Sequence, residues 1–199
     1  MRTGIYGGTF SPPHIGHISA ARAFAEQMGL DELLIIPALL PPHKTIDYED
    51  HPEKRFRMCE LAFGDIKCAE ISDIELRREG KSYTVDTLKA LSREGRELFL
   101  LCGTDMILTL DAWRDPDGIF SLCTPVCIRR ESDSDTDGAI ENKLALYKEK
   151  YGVDVPRISV SPIELSSSEV RLAVKNGEDV SDLVTAPVAE YIKEEGLYR

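Results

Sequence analysis

Short apolar runs of strand length alternate along the chain with segments of helical periodicity. The strand-length runs cover residues 3–6, 33–36, 98–102 and 126–128. Between the first two runs, apolar residues recur at helical spacing, at Ile18, Ala21, Ala25 and Met28. Near-continuous apolar strands that alternate with amphipathic helices indicate a parallel sheet covered on both faces. The pattern therefore predicts an α/β fold, doubly wound and Rossmann-like, with helices on both faces of a parallel sheet.

Two polar segments interrupt this pattern. Residues 37–52 contain four prolines, and a connection of this length without secondary structure is usually functional or mobile. Residues 131–138 read ESDSDTDG and are expected to form an acidic surface loop, followed by a helix over 139–151 and a short strand near 158–160. The length of 199 residues suits a single domain over 1–199, which should bury roughly 70% of the unfolded surface.

Composition and charge narrow the class of protein. The chain is 42% hydrophobic and 30% charged, and no apolar run approaches the roughly 20 residues that a membrane span requires. Its start runs into a strand pattern without an apolar leader. The formal net charge of −11 disfavours a long nucleic-acid partner, which is bound through many cationic side chains. We expect a cytoplasmic protein with neither a membrane nor a nucleic-acid partner.

The cysteines are predicted to have a structural role and no catalytic or metal-binding one. They are five, an odd number, with no CxxC pair: Cys59, Cys68, Cys102, Cys123 and Cys127. Each lies in an apolar stretch, which predicts reduced, buried side chains. Cys123 and Cys127 could join the histidines in a zinc site, but their spacing matches no common ligand set. No protein-held metal is predicted.

The segment GGTFSPPHIGH, residues 7–17, directly follows the first predicted strand. Glycines at a strand end let backbone amides approach an anion, and a helix N-terminus adds roughly half a positive charge. His14 and His17 stand at the predicted helix start, and at Gly16 a side chain would hold a nucleotide away from the backbone. The segment predicts a phosphate site with two donors. The alternative is a strand-to-helix turn with an incidental pair of histidines.

A second segment, residues 162–171, reads PIELSSSEVR. Ser166 and Glu169 have the spacing of a capping box at a helix start. That cap does not account for three consecutive hydroxyls followed by Arg171 one turn into the helix. Hydroxyls, helix amides and a guanidinium together could form a second anion clamp. From these residues alone, cap and clamp remain equally open.

Both segments resemble motifs of the nucleotidyltransferase superfamily. The first is similar to GGxFxPxHxGH, although close members carry Asp or Asn where this chain has Ser11, and the second is similar to ISSTxxR. In that superfamily the HxGH element grips the phosphates of ATP and the serine motif closes over the nucleotide. The resemblance implies catalytic roles for His14, His17 and Arg171. It also implies ATP contacts for Gly7, Gly8, Thr9, Phe10, His14, Gly16, His17, Ser166, Ser167, Ser168 and Arg171.

Further segments resemble bacterial nicotinate-nucleotide adenylyltransferases in particular. They are PPHK at 41–44, RFRMCELA at 55–62, SYTVDTL at 82–88, GTD at 103–105 with a tryptophan downstream, and the closing helix after Ala186. The resemblance implies that Gly103 and Asp105 contact ATP. It implies that the mononucleotide is bound by Lys44, Ser82, Tyr83, Thr84 and Trp113.

Several of these segments also have an interpretation in which they do not contact substrate. The lysine of PPHK could be a solvated loop residue, and either Ser82 or Thr84 could be a helix N-cap. Trp113 could stack on a pyridine ring or belong to the core. Met58, Leu61 and Ala62 are expected in the core and not in contact with substrate.

The resemblance implies one reaction: the phosphate of nicotinate mononucleotide attacks the α-phosphorus of ATP, giving deamido-NAD and pyrophosphate, with Mg²⁺ accompanying ATP. Because the nucleophile is already an anion, no general base is expected. Pantetheine-phosphate adenylyltransferase, a cytidylyltransferase and a non-catalytic nucleotide sensor are the alternatives. Homo-oligomerisation stays open.

Overall fold

The computed structural model describes residues 1–40, 51–129, 137–161 and 163–199. Its strands are β1 (Arg2–Gly8), β2 (Glu32–Pro37), β3 (Ala69–Ile71), β4 (Glu97–Gly103), β5 (Thr124–Arg129) and β6 (Arg157–Ser159). In the described residues these six strands form one parallel sheet in the order β3-β2-β1-β4-β5-β6. The order reverses at β1, because the chain builds outward from it in both directions. This is the doubly wound topology that the sequence predicts.

Helices cover both faces of the sheet. They are α1 (Ile15–Gln27), α2 (Pro52–Phe63), α3 (Thr84–Leu91), α4 (Thr104–Thr109), α5 (Pro116–Leu122), α6 (Asp137–Tyr151), α7 (Ser167–Lys175) and α8 (Ala186–Glu194). One core cluster joins α1, α2, α7 and α8 to the sheet, and another joins α3, α4, α5 and α6. No helix in the described part of the chain is long and apolar enough to cross a membrane.

Alternation along the strands divides the core between the two faces. Ile5 packs with one cluster and its neighbour Tyr6 with the other, and Leu98 and Phe99 separate in the same way. Successive side chains of a strand point to opposite faces, so a strand buried on both faces needs apolar residues at consecutive positions. This explains why the strands read as unbroken apolar runs.

The observed elements extend or shift the predicted ones. Each long strand continues one or two residues past its apolar run, and the predicted helix over 139–151 begins at Asp137. The last strand is Arg157–Ser159, and β3, three residues reading AEI, was not predicted because it carries no apolar run. Of the predicted loops, 37–52 is shortened by β2 and α2 at its two ends, and 131–138 is shortened by the start of α6. Residues 41–50 of the first loop and 131–136 of the second lie outside the described residues.

The cysteines are free thiols, as predicted. Cys59, Cys102, Cys123 and Cys127 are buried, but Cys68 is only half-buried because it follows α2 at the sheet margin. Burial raises the pKa of the Cys59 and Cys102 thiols well above the ordinary range and that of Cys123 to about 12. Thiols protonated at neutral pH are poor nucleophiles, so these side chains serve packing.

Candidate active site

Residues 9–14, here called the phosphate loop, join β1 to α1 over a buried aromatic ring. Phe10 has a φ of 51°, in the left-handed region, and is 2% exposed. Its ring lies under Gly8, where a Cβ would come within 2.8 Å of the ring, and it meets Tyr6 edge-on at 5.3 Å between centroids. Gly8 is therefore small because Phe10 needs the space. The ring of Phe10 shapes the loop from the core side.

The two histidines of the first motif are in contact at the start of α1. His14 is the N-cap residue and is 2% exposed, and its ring centroid lies 3.7 Å from that of His17. The Nδ1 atom of His17 accepts a hydrogen bond from the backbone N–H of His14 at 3.2 Å. An accepting Nδ1 carries no proton, so the neutral ring of His17 has its proton on Nε2. The local backbone thus keeps Nε2 of His17 as a donor.

The structure shows a further reason for glycine at position 16, and the predicted one, clearance for a nucleotide, stays a prediction. A Cβ at this position would lie 3.1 Å from both Cε1 and Nδ1 of His14, closer than ordinary van der Waals contact. The sequence suggested that a side chain here would hold a nucleotide away from the backbone. In the structure the nearest obstacle is the ring of His14, which folds back over the first turn of α1.

The N-terminus of α1 is partly occupied by the protein itself. The Ile15 amide donates to the carbonyl of Leu183 at 3.0 Å, and the His17 amide donates to the carbonyl of His14 at 2.9 Å. The Ile18 amide also donates to the carbonyl of His14, at 3.3 Å. Among the described residues, the Gly16 amide is therefore the one in this turn without a backbone acceptor. Fewer backbone amides are therefore available to bind an anion here than the four that an uncapped helix N-terminus offers.

The start of α7 contains the predicted capping box. The Ser166 hydroxyl accepts from the Glu169 amide at 3.2 Å, and the Ser166 amide donates to Oε2 of Glu169 at 2.7 Å. Hydrogen bonds from Ser166 to the carboxylate hold the pKa of Glu169 below its ordinary value. One serine of the three is thus a cap, and the other two have different partners.

Those other two serines and Arg171 connect α7 to the phosphate loop. Ser167 Oγ donates to the carbonyl of Pro12 at 2.9 Å, and a guanidinium nitrogen of Arg171 donates to the carbonyl of Ser11 at 2.7 Å. The other terminal nitrogen of Arg171 donates to Ser168 Oγ at 3.0 Å. The two motifs, about 155 residues apart, therefore form one hydrogen-bonded unit, in which the Ser11 carbonyl is an acceptor and its buried hydroxyl has no partner among the described residues.

A cleft of about 450 Å³ opens beside this unit, at the carboxyl ends of β1 and β4. This is the point where the strand order reverses, which is the usual ligand site of doubly wound sheets. Predicted site residues from three separate segments line it: Gly7, Gly8, Thr9, Ser82, Tyr83, Thr84, Asp105 and Trp113. The structure thus brings the first motif together with SYTVDTL and the tryptophan. The histidines, Gly16 and the α7 residues are not among its described lining.

One end of this cleft, here called the aromatic end, is formed by Tyr83, Thr84, Trp113 and Arg114. Tyr83 is the N-cap residue of α3 and Thr84 its first residue, so neither of the predicted caps holds that position. Trp113 is half-buried, and its indole N–H donates to Thr109 Oγ1 at 3.3 Å. A half-buried tryptophan at a cleft wall offers a stacking face.

Ser82 lines the cleft through a buried side chain, and Gly103 lies just before the lining residue Asp105. Ser82 is buried; its Oγ accepts from the Leu39 amide at 3.0 Å and its own amide donates to the carbonyl of Leu40 at 2.9 Å. Gly103 ends β4 as the N-cap of α4, and a Cβ there would lie 3.0 Å from Oδ1 of Asp105. The missing side chain therefore makes room for the Asp105 carboxylate at the cleft.

Arg55 was not predicted as a site residue, although the pattern of α2 contains the signal. Arg55 is 1% exposed and donates to the carbonyls of Thr9 at 2.8 Å and Leu39 at 3.4 Å. It falls in register with the buried Met58, Cys59 and Ala62 on one helical face. A charged residue on the apolar face of a helix must have internal partners, and here it joins the phosphate loop to the segment that Ser82 also holds.

Two more cleft residues were not predicted, Glu75 and Arg114. Glu75 is buried and accepts from Thr87 Oγ1 at 2.7 Å, with Arg78 within 3.7 Å. Arg114 lies with its guanidinium carbon 4.4 Å from the ring centroid of Tyr83. Glu75 precedes the SYTVDTL segment and Arg114 follows the tryptophan, so neither residue belongs to a motif that could be matched.

The remaining predictions from the sequence concern Lys44 and metal binding. Lys44 is outside the described residues, so its predicted place near a phosphate stays a prediction. The described residues contain no group of three His, Cys, Asp or Glu side chains able to hold a metal ion.

Comparison with known proteins identifies relatives of the whole chain. Residues 5–173 match the model of the family described as cytidylyltransferase-like. A protein of Geobacter metallireducens named "probable nicotinate-nucleotide adenylyltransferase" is 36% identical, covering 100% of this chain and 98% of the relative. One of the same name from Clostridium acetobutylicum is 34% identical over 98% of this chain and 97% of its own length.

Solved structures share the fold. The nicotinic acid mononucleotide adenylyltransferase of Plasmodium falciparum, complexed with NaAD, aligns with a TM-score of 0.80 at 18% identity, covering 99% of this chain and 97% of that chain. The same enzyme complexed with APC aligns with a TM-score of 0.78 at 17% identity, covering 99% of this chain and 96% of that chain. At these identities the likeness establishes the architecture alone.

Proposed function

The chain belongs to the cytidylyltransferase-like family and, within it, to the nicotinate-nucleotide adenylyltransferases, and from this membership we propose that its cleft joins ATP to nicotinate mononucleotide. The products are deamido-NAD, a precursor of NAD, and pyrophosphate. The protein is thus a nucleotidyltransferase of NAD biosynthesis. Free thiols at all five cysteines support a cytoplasmic location, where disulfides are rare.

The observation that carries the proposal is the convergence on one cleft. Three segments that are separate in sequence, each matching this family, line the same opening at the switch point of the sheet. The lining includes both Thr9 of the phosphate loop and the half-buried Trp113, which suits a ligand that carries a phosphate and an aromatic ring. A nucleotide sensor would not require this second, aromatic end.

In the proposed reaction, a phosphate oxygen of the mononucleotide forms a bond to the α-phosphorus of ATP while the bond to the β-phosphate bridge breaks. The electron pair leaves with pyrophosphate, and no proton has to be removed from the attacking group. Catalysis then consists of positioning and of donors for the developing charge. The donors proposed are Nε2 of His17, the ring of His14 and the guanidinium of Arg171.

The remaining predicted residues divide between the two substrates. ATP is proposed to lie against the phosphate loop, with Asp105 accepting from ribose hydroxyls beside Gly103 and the serines of α7 near its phosphates. The mononucleotide is proposed to place its ring against Trp113, near Tyr83 and Thr84, with Ser82 behind them and Lys44 toward its phosphate. The orientation of Nε2 of His17 and the link between Arg171 and Ser11 support the ATP half of this arrangement.

Mg²⁺ is proposed to enter as the complex with ATP. With no three-ligand cluster among the described residues, the phosphate oxygens would supply most of its coordination, as is usual for Mg²⁺. When bound, the ion spreads the charge of the departing pyrophosphate.

The test is pyrophosphate release with ATP and Mg²⁺, comparing nicotinate mononucleotide, its amide and phosphopantetheine at equal subsaturating concentration. Turnover with a pyridine mononucleotide supports the proposal. Turnover with phosphopantetheine alone, or with CTP in place of ATP, would assign the chain to another branch. Silence with all three acceptors, together with ATP-dependent protection against heating, would indicate a sensor.

A further inference from the structure

The charged groups at the cleft differ in how fully the protein balances them. Among the described lining residues the charged side chains are Glu75, Asp105 and Arg114. Glu75 is neutralised locally, because its carboxylate accepts from Thr87 and faces the guanidinium of Arg78. Arg114 is the one cation in this described lining, which makes it the group that an anionic ligand would meet.

Arg114 is placed at the aromatic end by two contacts. Its guanidinium carbon lies 4.4 Å from the ring centroid of Tyr83, and one of its terminal nitrogens is 3.8 Å from Oδ2 of Asp86. The ion pair is long and solvent-exposed, with 59% of the Arg114 side chain accessible. Stacking on a ring uses the face of a guanidinium and leaves its edge N–H groups available for hydrogen bonds. A ligand at Trp113, the preceding residue, would lie within reach of them.

We propose that Arg114 is a specificity-determining residue, whose guanidinium donates to the carboxylate of the pyridine ring and thereby favours the acid mononucleotide over the amide. This inference rests on the proposed function. The two mononucleotides share ribose, phosphate and ring, and differ in one group, a carboxylate or a neutral carboxamide. A guanidinium distinguishes these groups, because it has only donors and pairs with both oxygens of a carboxylate. A carboxamide offers it a single acceptor.

The decisive measurement is kcat/KM for both mononucleotides with Arg114→Gln and with the unchanged protein. We expect kcat/KM for the acid to fall about tenfold, the effect of losing a charge-assisted hydrogen bond at an exposed site, and that for the amide to change less than about twofold. The loss should appear in KM and not in kcat, because the contact exists equally before and during the reaction. Arg114→Lys should retain part of the preference, and the preference should weaken with added salt.

Arg77→Gln is the matched control. Arg77 is an exposed arginine that pairs with Asp73 four residues away and does not line the cleft, so this variant should keep the acid preference. Equal losses of Arg114→Gln on acid and amide would mean that Arg114 meets the shared phosphate, and no loss on either would mean that it meets no substrate; both results overturn the inference. An unchanged protein without turnover of either mononucleotide would instead overturn the proposed function.

Discussion

The phosphate loop and the aromatic end lie on the same cleft but are held in place by different forces. The loop packs on the buried ring of Phe10. Its backbone carbonyls also accept hydrogen bonds from the buried Arg55 and, on α7, from Ser167 and Arg171. At the aromatic end, Arg114 is held by a ring face and a long exposed ion pair.

The difference matches what the proposed function asks of each end. Stabilising charge on a transferring phosphoryl group requires donors that are already in position, because reorganisation at that moment would raise the barrier. Choosing between two similar rings requires only one or two groups that meet the differing atoms. Changes at the loop should therefore reduce turnover or stability, and changes at the aromatic end should alter binding.

The largest effect is expected from His17→Ala. Removing one preorganised donor typically lowers turnover by roughly 10² to 10³, while the half-exposed ring contributes little to the core. We expect kcat for pyrophosphate release to fall by this amount with the thermal midpoint nearly unchanged. His51→Ala is the control, since His51 is an exposed histidine before α2. Near-normal turnover of His17→Ala would remove His17 from the mechanism.

Arg55→Met tests whether the loop depends on its buried support. The substitution leaves the carbonyls of Thr9 and Leu39 without their donor in a buried place, which should lower the free energy of unfolding by about 2–4 kcal/mol. Denaturant unfolding measures this loss. Arg57→Met, on the same helix but exposed, should cost far less. KM for both substrates should rise less in Arg55→Lys, which keeps the charge, than in Arg55→Met. If KM is unchanged in both variants, Arg55 contributes to folding stability and not to substrate binding.

Trp113→Ala addresses the aromatic end. Loss of a stacking face should raise KM for the mononucleotide roughly tenfold and leave kcat nearly unchanged, because the donors at the phosphate loop stay in place. Trp113→Phe retains a ring and should show a smaller rise. A large drop in thermal midpoint with unchanged KM would instead show that the indole is a core residue.

The smallest effect is expected at the cap of α7. The pKa of Glu169 is lowered in the folded protein by hydrogen bonds from Ser166. A carboxyl with a lowered folded pKa stabilises the protein above its unfolded pKa, and that contribution is lost as pH falls through the folded pKa. The thermal midpoint of the unchanged protein should exceed that of Glu169→Gln near neutral pH, and the gap should close in acid, below about pH 4. A gap between the unchanged protein and Glu169→Gln that stays constant from neutral to acid pH would contradict the assignment.

Much of this architecture could be predicted from the sequence because it depends on local patterns. Consecutive apolar positions identified the buried strands, and the spacing of Ser166 and Glu169 identified a cap that the structure confirms. The short strand β3 could not be found in this way, since three residues without an apolar run take their strand conformation from pairing with β2. Arg55 was missed because its role depends on two carbonyls from other segments.

The fold class, the two phosphate-type motifs and the family could be read from the amino-acid sequence, because periodicity and motif spacing are properties of neighbouring residues. Three features became visible only in three dimensions: Ser167 and Arg171 bind the backbone of residues 11–12, Gly16 makes room for the ring of His14, and a cation lies at the aromatic end. These contacts join residues up to 160 positions apart or depend on the path of a single ring. No local pattern encodes the contacts of Ser167 and Arg171, because they arise only when α7 packs against the loop that follows β1.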